Sequence, residues 1–216
     1  MRSGPPVLLV AVLLAAAPIL ARERRDPTTP DAPKPFFVVI HVASTNPADT
    51  DQRVRDILDT ANQHFAAAGI AFVESARKSL PPSFAVLETI RERRRLKRYF
   101  VPRTINLFLL DEIDDPVPSE ATKKAAAWQD LKLSGRLAGA HIEYQGQTPG
   151  TYIILSRDSG KLSLTHELGH FFGAGHARDP TNIMSYGREK RGFDEKQLQR
   201  FRAAAARFRK RHVLKY

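Results

Sequence analysis

The strongest signal in this sequence is the run Thr165-His166-Glu167-Leu168-Gly169-His170-Phe171-Phe172-Gly173-Ala174-Gly175-His176. His166 and His170 are four residues apart, so a helix places both imidazoles on one face, one turn apart, where they can bind one ion. Gly173 then allows a backbone turn that most residues resist, which ends the helix and brings His176 back toward the other two. The spacing therefore predicts a metal site made of these histidines.

The ligands of such a site determine its chemistry. Three neutral imidazoles leave a tetrahedral zinc ion with one open position for a water molecule, whose pKa falls to about 7. Glu167 projects toward the same open side, so its carboxylate can take the proton of that water and later pass it to a leaving amine. The chain has no cysteine, which excludes thiolate ligands. The pattern predicts one catalytic zinc ion with Glu167 as its base; the alternative is two histidines packed in an amphipathic helix beside a loop histidine.

The same residues resemble a known clan of zinc peptidases. The run from His166 to His176 matches the metzincin signature H-E-x-x-H-x-x-G-x-x-H, and Asn182-Ile183-Met184-Ser185-Tyr186 looks like the methionine-bearing turn of that clan. The resemblance implies that Met184 forms a hydrophobic floor for the histidines. It also implies that Tyr186 approaches the zinc and stabilises the oxyanion, as in astacins and serralysins; an ordinary packed tyrosine is the alternative. Because Ala177 follows the last histidine, where each metzincin family has its own residue, no family within the clan is assigned.

The resemblance also implies where a substrate binds. Metzincins place a twisted sheet before the zinc helix, with an edge strand that pairs with the substrate backbone. Ala140–Tyr144 is the candidate for that strand, since an exposed edge can pair with an extended peptide.

Strands and helices alternate along the first half of the chain, which predicts an α/β fold of the α+β type. We expect a metzincin-like, twisted mixed sheet of about five strands, with an active-site helix and a C-terminal helix. Strands are predicted at Phe36–Val42, Ile70–Phe72, Thr104–Leu110, Ala140–Tyr144 and Thr151–Leu155. Helices are predicted from Asp49 or Thr50 to Gly69, and over 84–100, 121–132, 161–173 and 194–212.

The N-terminus has the composition of an export signal. A basic start precedes the apolar stretch Val7–Leu20 and the small residue Ala21, too short a stretch for a membrane-spanning helix. We therefore expect a signal peptide at 1–21, a flexible leader with four prolines at 22–35, and one peptidase domain at 36–216. This organisation predicts a secreted or periplasmic protein; an uncleaved anchor is the alternative.

The net charge of +11 favours anionic partners. The basic segments Arg91–Arg98 and Arg200–Arg211 are interpreted either as solvated helix faces or as an attachment to an anionic surface. The sequence has no motif for specific nucleic-acid recognition, and we expect a monomer. The other histidines lack ligand spacing: His41, His64, His141 and His212.

These features predict a secreted zinc-dependent endopeptidase acting on protein or peptide substrates. One alternative is a basic, zinc-stabilised binding module at an anionic envelope surface, which would have no need of Glu167 as a base. Another is a metallohydrolase that acts on a small amide. An open groove favours the peptidase, and a closed pocket favours the amidase.

Overall fold

The computed structural model of the chain describes residues 34–44, 50–113, 139–144, 150–187 and 189–216. The predicted signal peptide (1–21) and the predicted helix at 121–132 lie outside the described residues. So does the predicted leader, apart from its last two residues. Within the described ranges, no helix is long and apolar enough to cross a membrane.

The fold alternates strands and helices, as predicted. The strands are β1 (Phe36–Ala43), β2 (Phe72–Ser79), β3 (Val86–Leu87), β4 (Ile105–Leu110), β5 (Glu112–Ile113), β6 (Gly139–Tyr144) and β7 (Gly150–Ser156). The helices are α1 (Thr50–Phe65), α2 (Ile90–Arg95), α3 (Ser163–Phe171) and α4 (Glu195–Lys210). Short 3-10 turns lie at Ala66–Ala68, Pro82–Phe84 and Leu96–Tyr99.

Five of the strands form one mixed sheet in the order β2-β1-β4-β7-β6. The first four are parallel to one another, and β6 pairs antiparallel with β7 at the sheet edge. Every residue of β4 is buried, which is typical of a parallel strand covered on both faces. The sheet confirms the predicted fold class, and β6 is the last strand of the sheet among the residues that the structure describes.

Alternate residues of the central strands supply two separate cores, because successive side chains of a strand point to opposite faces. Ile105, Leu107 and Leu109 face the core shared with α1, α3 and α4. Phe108 and Leu110 face a second core, which residues 80–100 cover. The first core packs around the helix that carries two of the predicted metal ligands.

The segment 84–100 corrects the predicted long helix. Val86–Leu87 is extended and pairs with Glu112–Ile113. The helix begins only at Ile90, where the hydroxyl of Thr89 accepts the backbone N–H of Glu92 and the Glu92 carboxylate accepts that of Thr89. The helical prediction was wrong for residues 84–89. Their packing over the second core outweighs the local preference for helix.

The two remaining long helices agree with their predicted positions. The buried face of α1 consists of the predicted residues Val54, Ile57, Leu58, Ala61 and Phe65. The C-terminal helix α4 starts after Asp194, whose carboxylate accepts the backbone N–H of Gln197 at 2.8 Å. Two of its basic residues bind exposed carbonyls at the ends of other helices: Arg200 donates to Gly173 O and Arg202 to Ala67 O.

Candidate metal centre

The structure brings His166, His170 and His176 together. One ligand nitrogen from each lies within 4.8 Å of the others, and no second such cluster of three or more metal-ligating side chains occurs among the described residues. The Nε2 atoms of His170 and His176 are 3.1 Å apart. Two nitrogens bound to one tetrahedral zinc ion at about 2.0–2.1 Å would be about 3.3–3.4 Å apart. The donor type and its spacing therefore fit zinc.

Local backbone geometry produces this convergence. His166 and His170 occupy successive turns of α3, with ring centroids 4.8 Å apart. The helix ends at Phe171, and Gly173 takes a φ of +92°, a conformation that side chains other than glycine rarely adopt. The backbone N–H of Ala174 then bonds to Gly169 O at 2.9 Å, so the chain doubles back and carries His176 toward the helix.

Each of the three imidazoles has a hydrogen-bond partner at Nδ1. A metal-binding histidine usually donates its other ring N–H to a carbonyl, carboxylate or similar acceptor, which sets the tautomer and the ring orientation. The Nδ1 contacts here are His166 to Ile183 O (2.7 Å), His170 to Ala174 O (2.9 Å) and His176 to the Tyr186 hydroxyl (3.2 Å). This arrangement leaves the Nε2 atoms for an ion.

Burial keeps these imidazoles neutral, which is the state that binds metals. Burial, with a smaller contribution from the charge of Lys190, lowers the pKa of His166 from 6.5 to about 4. Burial also lowers the pKa values of His170 and His176. The three ligands are thus uncharged at neutral pH.

Met184 lies directly against α3. Its side chain is fully buried and packs on α3 at Gly169, where an added Cβ would lie 3.1 Å from Met184 Cε. The backbone of the turn is held by the Ala177 N–H, which donates to Met184 O at 2.9 Å. The Asn182 side chain also accepts the Met184 N–H at 2.8 Å.

Glu167 is buried beside the histidines, with 8% of its surface exposed. Its carboxylate interacts electrostatically with Tyr186 and Lys190. Burial lowers the pKa of the Lys190 ammonium, and the charge of Glu167 opposes that shift. The charge of Lys190 therefore acts on the predicted base and on two of the predicted ligands.

Sequence reasoning missed Lys190. The segment that contains Lys190 lies against the Met184 turn. Two backbone hydrogen bonds join them, from Arg191 N–H to Thr181 O at 2.7 Å and from Ile183 N–H to Gly192 O at 2.9 Å. No motif or spacing in the sequence marks that return, so only the tertiary structure reveals the charge.

Two solved structures similar to this chain are an archaemetzincin and a metalloproteinase. Archaemetzincin from Methanopyrus kandleri matches with a TM-score of 0.52 and 16% identity, over 82% of this chain and 99% of that one. Metalloproteinase-II from Bacteroides fragilis matches with a TM-score of 0.53 and 13% identity, over 82% of this chain and 55% of that one. This chain thus spans about half the length of the second protein. At these identities the likeness concerns the fold.

By sequence, no protein family model matches the chain, and no curated protein matches it at a significant level.

Proposed function

We propose that this chain is an exported, metzincin-like zinc endopeptidase that hydrolyses peptide bonds. The observation that supports this most directly is the convergence of three imidazoles, each with a hydrogen-bond partner at Nδ1, at the helix that also carries the buried Glu167. A zinc ion held there would lower the pKa of a water molecule to about 7 and polarise a substrate carbonyl. A buried base next to the ligands has no purpose in a purely structural site.

Glu167 acts as the general base and then as the general acid. Its carboxylate takes a proton from the attacking water and delivers it to the nitrogen of the leaving amine as the peptide bond breaks. Burial removes competing bulk water from around this carboxylate, and α3 holds it next to His166.

The edge strand β6 positions the substrate. Among the described residues it pairs with β7 on one side only, so its other side would offer backbone groups to an extended peptide. Because α3 packs against both strands, a peptide paired with β6 would run past the histidines. A continuous edge suits a polypeptide better than a small amide.

The proposal is tested by the substitution Glu167→Gln. We expect the purified wild type and the variant to bind one zinc ion per chain, and only the wild type to cleave a mixed peptide library. Glu195→Gln, an exposed position at the start of α4, is the matched control and should cleave like the wild type. Cleavage by Glu167→Gln would contradict the base assignment, and zinc binding without cleavage by the wild type would contradict the peptidase.

Export and surface attachment are the remaining parts of the proposal. The N-terminal composition supports secretion or a periplasmic location. The basic segments support attraction to an anionic surface, although Arg200 and Arg202 also bind carbonyls within the fold. Co-sedimentation with vesicles that contain anionic lipid, at low and high salt, measures this attraction. Binding that survives high salt would contradict an electrostatic origin.

A further inference from the structure

We propose that Tyr186 is a positioning residue for the metal centre: its hydroxyl oxygen accepts the Nδ1 proton of His176 and thereby holds the third ligand in place. This proposal rests on zinc binding by the three histidines. It assigns Tyr186 a role through His176, different from the direct stabilisation of an oxyanion that the metzincin resemblance implies.

The geometry comes from two contacts between the residues. The Tyr186 hydroxyl lies 3.2 Å from His176 Nδ1, within hydrogen-bond range. The rings also contact each other, with centroids 4.5 Å apart and planes inclined by 39°. Since Nε2 of His176 faces His170 and is the atom available to an ion, Nδ1 must carry the proton and donate it to the tyrosine oxygen.

His176 needs such a partner more than the other two ligands do. His166 is buried and His170 is partly buried, and both extend from a regular helix to backbone carbonyls. His176 is exposed and lies on a loop directly after Gly175, so its ring has more freedom to lose when it binds an ion. A side-chain acceptor in ring contact with it reduces that cost.

The backbone around Tyr186 is itself well held. The Ser185 hydroxyl lies 3.0 Å from Pro180 O and accepts the Gly187 N–H at 3.1 Å. Gly187 approaches the Pro180 backbone so closely that a Cβ there would lie 2.7 Å from Pro180 Cα. The tyrosine is therefore carried by a rigid turn, as a residue that orients a ligand should be.

The direct test is the zinc affinity of Tyr186→Phe, measured by competition with a chromophoric chelator. Loss of an outer hydrogen-bond partner typically weakens metal binding about 10- to 100-fold, and we expect a loss in this range. Tyr216→Phe, which removes a hydroxyl near the C-terminus, is the control and should leave the affinity unchanged. Unchanged zinc affinity in Tyr186→Phe would overturn the proposal.

A double-mutant cycle tests whether Tyr186 acts through His176. In a His176→Ala background, Tyr186→Phe should cause no further loss of zinc affinity, because the partner of the hydroxyl is gone. An undiminished further loss would overturn the proposal. Circular dichroism of all variants without metal confirms that the comparison involves folded proteins.

The turnover of Tyr186→Phe at saturating zinc separates the two roles of the tyrosine. A positioning residue leaves kcat within a few-fold of the wild type once zinc is saturating. Removal of an oxyanion donor would lower kcat by about 10²- to 10³-fold with zinc affinity unchanged. The measurement of zinc affinity needs no substrate. It therefore tests the positioning role of Tyr186 even if the protein shows no peptidase activity, and either proposal can be contradicted without the other.

Discussion

The thioether of Met184 occupies the space that a Cβ on Gly169 would fill. A Cβ built there would overlap Met184 Sδ and would lie 3.1 Å from Met184 Cε. Glycine inside a helix costs about 1 kcal/mol relative to alanine. Here it lets the buried side chain of Met184 lie directly against α3. The position of Gly169 is therefore a packing requirement of the metal centre.

Gly169→Ala should destabilise the protein despite its better helix propensity. The added methyl group collides with Met184, and overpacking of this kind costs about 1–3 kcal/mol in free energy of unfolding. Denaturant unfolding of the metal-free protein measures this cost. Gly160→Ala, where an added Cβ meets no atom within 4 Å, is the control. Equal stabilities of the two variants would show that the turn moves away easily.

The metal-free protein should lose stability as the pH falls from about 6.5 to about 4. The pKa of His166 is about 4 in the folded chain, against 6.5 for an unburied histidine. Between these values the unfolded chain binds more protons, so acid favours unfolding, by about 3 kcal/mol for this group. His166→Gln should show a correspondingly shallower decrease in unfolding free energy over that range, measured in the presence of a chelator. Parallel decreases in both proteins would contradict the prediction.

Lys190→Met should raise the affinity for zinc. The Lys190 cation acts electrostatically on His166 and His176, so it also repels a divalent cation bound there. At pH 8 and low salt we expect an increase of roughly 3- to 10-fold, the scale of a partly screened charge interaction. Lys196→Met on α4 is the control, and high salt should reduce the difference. A weaker affinity would show that the side chain serves the site mainly by its contacts.

Proline substitutions in β6 should separate substrate binding from folding. Successive N–H groups of an antiparallel strand point to opposite sides. Of the two variants His141→Pro and Ile142→Pro, one therefore loses an N–H that bonds to β7, and the other loses an N–H that faces away from β7. The variant that loses the outward group should keep its stability and raise KM about 5- to 10-fold, as expected for one lost hydrogen bond. If neither variant changes KM while folded, β6 does not bind the substrate.

Much of the candidate site could be predicted because its signals are local. His166 and His170 share a helix face through their spacing alone, and Gly173 ends that helix through its own backbone freedom. The apolar runs of β1 and β4 likewise indicate buried strands without further information. The structure places all of these elements within two residues of the predicted bounds.

The segment 84–100 shows where local signals fail. Its charge and periodicity predict a continuous helix, yet residues 86–87 pair with a strand more than 20 residues later. The sequence contains no sign of that pairing, because it depends on how the chain returns over the second core.

By itself the sequence predicted the cluster of three histidines that the structure brings together and the order of the main strands and helices, since both depend on spacing along a few residues. Glu167 as the catalytic base remains a prediction. Only the tertiary structure decided what surrounds them: the Tyr186 hydroxyl at His176 Nδ1, the Met184 thioether against Gly169, and the Lys190 charge near Glu167. These contacts join separate segments whose approach is set by the packed cores, and hydrogen bonding and electrostatic interaction act only at the short distances that packing creates.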